Sequence, residues 1–145
     1  MINVEQVKQK ILTILEQKGP SLPVKIAKQI ELSPTFTSAI LSELSNEKRI
    51  KISNLKIGSS PLYLIPGQEQ KLENFTDNLT GVAKEAYLKL KQSKILQDNI
   101  QSPAIRVALR SIKDFAVPLK FQNKIFWKYS FTPNNEAEKL LPKIK

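Results

Sequence analysis

Two arginines, Arg106 and Arg110, stand one helical turn apart, and three hydroxyl residues, Thr35, Ser38 and Ser42, recur three and four positions apart. At these spacings each set shares one face of a helix. Guanidinium groups on such a face can reach phosphates or the edges of guanine. Hydroxyls donate to phosphates and pair with several bases, so they discriminate weakly. Around them lie Lys25, Lys28, Lys51 and Lys56 in the first half and Lys113, Lys120, Lys124 and Lys128 in the second. Lysine is a compact point charge suited to phosphate. The plainer alternative for the arginines is a solvated helix face, with one of them paired to Asp114.

Other chemistry is thin. The chain of 145 residues has no His and no Cys, which removes zinc fingers, thiol nucleophiles, disulfides and imidazole bases. Its four glycines leave no phosphate-cradling loop. The carboxylate pairs Glu43 with Glu47 and Glu136 with Glu138 sit where helix surfaces ordinarily carry charge. The reading is a binder without catalytic activity, cofactor or metal. With 23 Lys plus Arg against 13 Asp plus Glu, the formal charge of +10 points to a polyanion as partner. Lys supplies 20 of those cations and Arg three, a balance that favours holding backbone over reading bases. The bland counterpart is a charged surface that keeps the protein soluble. No apolar run approaches the ~20 residues of a membrane helix, and the first ten residues have no signal-peptide pattern. A cytoplasmic, nucleoid-associated location without a membrane partner is therefore expected.

These side chains need elements to position them. Val4, Val7, Ile11, Leu12, Ile14 and Leu15 recur at helical spacing, with Glu5, Lys8, Gln9, Lys10 and Glu16 filling the gaps, and Gly19-Pro20 ends that helix. A short second helix runs from about Pro23 to Ile30, since a proline is tolerated in a first turn. Ser33-Pro34 caps a third helix. Its Phe36, Thr37, Ala39, Ile40, Leu41 and Leu44 form an apolar face opposite Thr35, Ser38 and Ser42. The period then changes to alternation, with Ile50, Ile52 and Leu55 against Lys51, Ser53 and Lys56. A turn at Gly58–Pro61 and a second strand, Leu62–Ile65, complete a hairpin closed by Pro66-Gly67.

The stretch 19–67, with SPTFTSAI at Ser33–Ile40 as its clearest signature, resembles the winged helix-turn-helix superfamily and its archaeal members in particular. The resemblance implies an α+β, helix-rich fold of three helices plus a β-hairpin. It also implies a partner, double-stranded DNA, with the third helix in the major groove and the hairpin on neighbouring backbone. One departure matters: the third helix has no Arg, Lys, Gln or base-reading Asn on its N-terminal exposed face. A protein-interaction winged helix, with Phe36 and Ile40 at the contact, is therefore the competing expectation. Such regulators commonly dimerise, so a homodimer is a further one.

Residues 68–78 are polar and read as a connector. Beyond it, Leu79, Val82, Ala83, Ala86 and Leu90 mark the inner face of a helix reaching about Ser93, and a short helix is expected within Ile95–Gln101. Ser102-Pro103 opens another helix, with Ile105, Ala108, Leu109 and Ile112 on one face and Arg106, Arg110 and Lys113 on the other. Val117–Phe121 and Ile125–Phe131 form a hairpin, in which one face of the aromatic strand belongs to a core. SPAIRVAL at Ser102–Leu109 aligns without a gap on SPTFTSAI. The expected architecture is two winged helices in tandem, 1–67 and 79–145; the alternative is one winged helix with an irregular α/β extension. Asn135–Glu138 has capping-box spacing and predicts a last short helix over Pro133–Leu141, stopped by Pro142 and covering the second unit. Residues 1–75 hold 10 basic and 7 acidic groups and residues 76–145 hold 13 and 6, so the second part should contribute more to holding a polyanion.

Overall fold

In the computed structural model, which describes residues 3–141, helix α1 (Val4–Lys18) starts where the Asn3 side chain accepts the Gln6 N–H at 3.2 Å. It stops at Gly19, whose φ of 80° only glycine holds without strain and whose N–H closes on the Leu15 carbonyl at 2.8 Å. Ser21 then exchanges a pair of 2.9 Å backbone hydrogen bonds with Tyr63. Helix α2 (Pro23–Ile30) ends at Glu31 in the left-handed region. Helix α3 (Pro34–Asn46) is capped by Ser33, whose hydroxyl accepts the Phe36 N–H at 3.1 Å. Strands β1 (Lys51–Ile57) and β2 (Ser60–Leu64) pair antiparallel across Gly58-Ser59.

The three helices bury Val7, Ile11, Leu15, Ile26, Ile40, Leu41 and Leu44 together with Ile50, and Phe36, Tyr63 and Ile65 pack against them. Each fully buried Leu or Ile stabilises by roughly 1.5–3 kcal/mol, so this cluster is what holds the unit together. Four details depart from the sequence reading. Lys8, expected in a solvated gap, is only 4% exposed; its ammonium meets Glu43 at 3.1 Å and Glu47 at 2.8 Å. Those two ion pairs tie α1 to the end of α3 and raise the Lys8 pKa. Ala39 is exposed. Ile52 is exposed and Ser53 buried, because a bulge between Ile52 and Lys56 shifts the register and inverts the alternation. The Ser53 hydroxyl spans the bulge, donating to the Leu55 carbonyl at 2.6 Å and accepting the Leu62 N–H at 2.9 Å.

The chain divides into two compact units, Met1–Phe75 and Thr76–Lys145. The division falls within the stretch read as a connector, which is a 3-10 helix over Glu69–Asn78 with Leu72 buried. The second unit opens with helix α4 (Gly81–Ser93) and strand β3 (Ile95–Gln97), followed by one 3-10 turn, Asp98–Ile100. The helix expected over Ile95–Gln101 is therefore a strand and a turn: Ile95, Leu96 and Gln97 are drawn into register with Lys128, Trp127 and Phe126. Helix α5 (Pro103–Ser111) is capped by Ser102, which accepts the Ile105 N–H at 3.3 Å. Strands β4 (Ala116–Phe121) and β5 (Lys124–Tyr129) turn at Gln122-Asn123, both at positive φ.

The sheet order is β3-β5-β4, so β5 is central and Phe126, Trp127, Lys128 and Tyr129 are all buried; both faces of the aromatic strand are covered, not one. Helix α6 (Asn134–Leu140) starts from Pro133, without the capping box, and its Ala137 with Leu140 and Leu141 packs on Ile95, Leu119, Phe121 and Phe126. Helix, extended pairing segment, helical turns, Ser-Pro-capped helix and hairpin follow one another in both units. The fold is thus α+β and helix-rich, compatible with a winged-helix type. The end expected at Pro142 and the tail Lys143–Lys145 lie outside the described residues.

Candidate nucleic-acid interface

Helix α3 presents Thr35, Ser38 and Ser42 to solvent, with Ala39 between them. Among the described residues, none of these three hydroxyls is engaged in a hydrogen bond within the protein. Lys25 and Lys28 lie exposed on α2 and, with Lys18 at the end of α1, border a groove of about 280 Å³ whose other walls include Ile14 and Ser21. Lys56 is exposed one residue before the tip strand ends, and Lys113 and Lys124 are exposed after α5 and at the start of β5. Lys51 is committed, its ammonium resting on Glu69 at 2.6 Å. Lys128 is withdrawn from any surface role. It is 8% exposed, donates to the carbonyls of Tyr129, Ser130 and Thr132, and burial pushes its pKa down.

Arg106 and Arg110 converge on one carboxylate, that of Asp98. Arg106 reaches Oδ2 through Nε at 3.1 Å and Nη2 at 3.0 Å. Arg110 places Nη1 at 2.7 Å from Oδ1 and Nη2 at 3.0 Å from Oδ2, and the Trp127 indole N–H donates to Oδ1 at 2.9 Å. Arg110 also lies 5.3 Å over the Trp127 ring. Asp98 is 2% exposed. The Arg110 guanidinium beside it, with Trp127 and Arg106, outweighs the effect of burial and holds its carboxyl well below the usual range. The expected partner Asp114 is replaced by Asp98, and both arginines are bound, not one.

The cap register explains why these arginines lie where they do. Pro34 and Pro103 both occupy the first helical position, so Thr37 and Leu41 of α3 correspond to Arg106 and Arg110 of α5. Thr37 and Leu41 are completely buried, in a unit where α2 packs on α3. In the second unit the turn Asp98–Ile100 precedes the Ser-Pro-capped helix, and its first residue receives the two arginines. The ion pairs and the indole N–H bond thus stand where apolar helix packing stands in the first unit. The positions matching Thr35, Ser38 and Ser42 are Ala104, Val107 and Ser111.

Asp98 and the burial of Lys8 and Lys128 escaped the sequence reading. A signal for the first existed: a tryptophan in a central strand needs an acceptor for its N–H. Glu43 and Glu47, the carboxylates nearest to a catalytic arrangement, receive Lys8, and Glu136 receives Lys94. Among the described residues no three acidic groups gather where a metal could be held, and no helix is long and apolar enough to cross a membrane.

No protein-family model matches the chain, and no curated protein matches it. Among solved structures it is similar to the hypothetical protein PyrSV_gp04 from Pyrobaculum spherical virus, at 17% identity over 86% of this chain and 94% of that one, with a TM-score of 0.43. A likeness at that level carries no argument about fold or function.

Proposed function

We propose that the protein is a non-enzymatic binder of double-stranded DNA, built as two winged helices in tandem and holding the duplex chiefly through phosphates, with low to moderate sequence preference. The repeated order of elements and the common Ser-Pro cap support the tandem reading. The observation that carries the binding reading is a pattern of free charge. Lys25, Lys28, Lys56, Lys113 and Lys124 are all exposed, and none is in an ion pair among the described residues. In the first unit they accompany a helix face of unengaged hydroxyls, able to donate to phosphate or base edges without selecting strongly. Arg106 and Arg110 keep side chains 43% and 45% exposed, so they add charge at the surface while their geometry is fixed from below.

A second reading, a winged helix that binds a protein, is favoured by the same uncharged α3 face. Phe36 and Ile40 do not serve it, because both pack into the core. A mobility-shift titration on random and genomic duplex separates the two. The triple variant Lys25→Ala, Lys28→Ala, Lys56→Ala should weaken binding by a similar factor on every sequence. No shift of any duplex by the wild-type protein at low salt would remove the DNA reading and leave the protein-binding one.

A further inference from the structure

We propose that Val107 is the base-contacting side chain of the second unit and that it reads the C5-methyl group of thymine, in place of the guanine reading that two arginines on α5 suggest; the proposal rests on the duplex-binding reading above. Three observations lead to it. The shared cap places Val107 at the helical position of Ser38, on the face that α3 presents to solvent. Val107 is 69% exposed, the highest value among the large apolar side chains of the described residues, and nothing described in its own unit covers it. Arg110 stands one turn from Val107 on the helix, but the donors of both arginines are largely taken by Asp98 and, for Arg110, by the Arg106 carbonyl.

The rest of that face is also built to make apolar contact. Ala104 matches Thr35, and Ser111 matches Ser42 but donates its hydroxyl back to the Ala108 carbonyl at 2.7 Å. At Ala104 and Val107 α5 therefore offers methyl groups where α3 offers free hydroxyls. It contains no acidic residue, and Lys113 and Lys124 stand free in the same unit, which carries the larger share of the positive charge. A methyl-bearing helix face free of acidic groups, within a basic unit, complements a polyanion whose groove is studded with methyl groups. In the major groove the thymine methyl is the one base substituent recognised by apolar contact. The two units would then differ in taste, the first indifferent to sequence and the second favouring A·T-rich tracts.

Two duplexes of the same sequence, one with thymidine and one with deoxyuridine throughout, differ only in those methyl groups. Wild-type protein should bind the thymidine duplex about three- to fivefold more tightly for each methyl contacted. Val107→Ser should abolish that preference, binding the thymidine and deoxyuridine duplexes alike. Equal wild-type affinity for both duplexes overturns the proposal, as does a preference that survives in Val107→Ser. A wild-type dimer in gel filtration that becomes monomeric in Val107→Ser overturns it in favour of a face that docks a second copy. Failure to bind either duplex at low salt overturns the duplex reading itself, and is distinguished by that from the other outcomes.

Discussion

Asp98 has three donors and almost no water, so its loss should be felt throughout the second unit. Asp98→Asn removes the charge that both guanidinium groups were placed to meet and should cost about 2 kcal/mol in urea unfolding. The pH dependence has a definite sign. In the unfolded chain the carboxyl titrates near 3.8, and in the folded protein lower. Its contribution is therefore complete above that range and is lost as pH falls through the folded value. Wild-type stability should drop more steeply with acid than that of Asp98→Asn. Parallel curves would contradict the assignment. Thr37 makes the opposite case: its hydroxyl is buried in the first core with no hydrogen-bond partner. Thr37→Val keeps the shape and removes the orphan, so it should raise stability by about 1 kcal/mol. At this scale the sequence was legible where local spacing decides, as for Thr35, Ser38 and Ser42. It was not legible where partners come from distant chain segments, as when Lys8 meets Glu43 and Asp98 meets Trp127.

The helices could be read from the chain because their caps and periods are local: Ser33-Pro34, Ser102-Pro103 and Gly19 mark ends that the backbone obeys. Strand β3 could not. Three residues carry no period, and what makes them a strand is pairing with β5, some thirty positions away. The bulge in β1 escaped for a similar reason, since Ser53 is turned inward by bonds to Leu55 and Leu62. Helix α6 gives a prediction at this scale. It covers Ile95, Leu119, Phe121 and Phe126, and the chain leading to it is fastened by Lys128. A chain ending at Thr132 should bind a hydrophobic dye and lose the near-ultraviolet signal of Trp127. Retention of that signal would show that the helix is dispensable.

Charge was legible from composition alone, but its availability was not. Of the cations named from the sequence, Lys51, Arg106 and Arg110 are engaged with carboxylates and Lys128 is buried, leaving Lys25, Lys28, Lys56, Lys113, Lys120 and Lys124 free at the surface. Those six are the account's phosphate contacts, and the number of contacts is itself measurable. Each phosphate neutralised contributes about −0.9 to the slope of log affinity against log salt. The decisive measurement is the fluorescence anisotropy of a labelled random duplex, titrated with the 145-residue chain between about 50 and 200 mM salt. The account predicts a slope near −5 and a loss of affinity of more than about a thousandfold. Absence of binding at the lowest salt, or an affinity that does not change across the range, would contradict it.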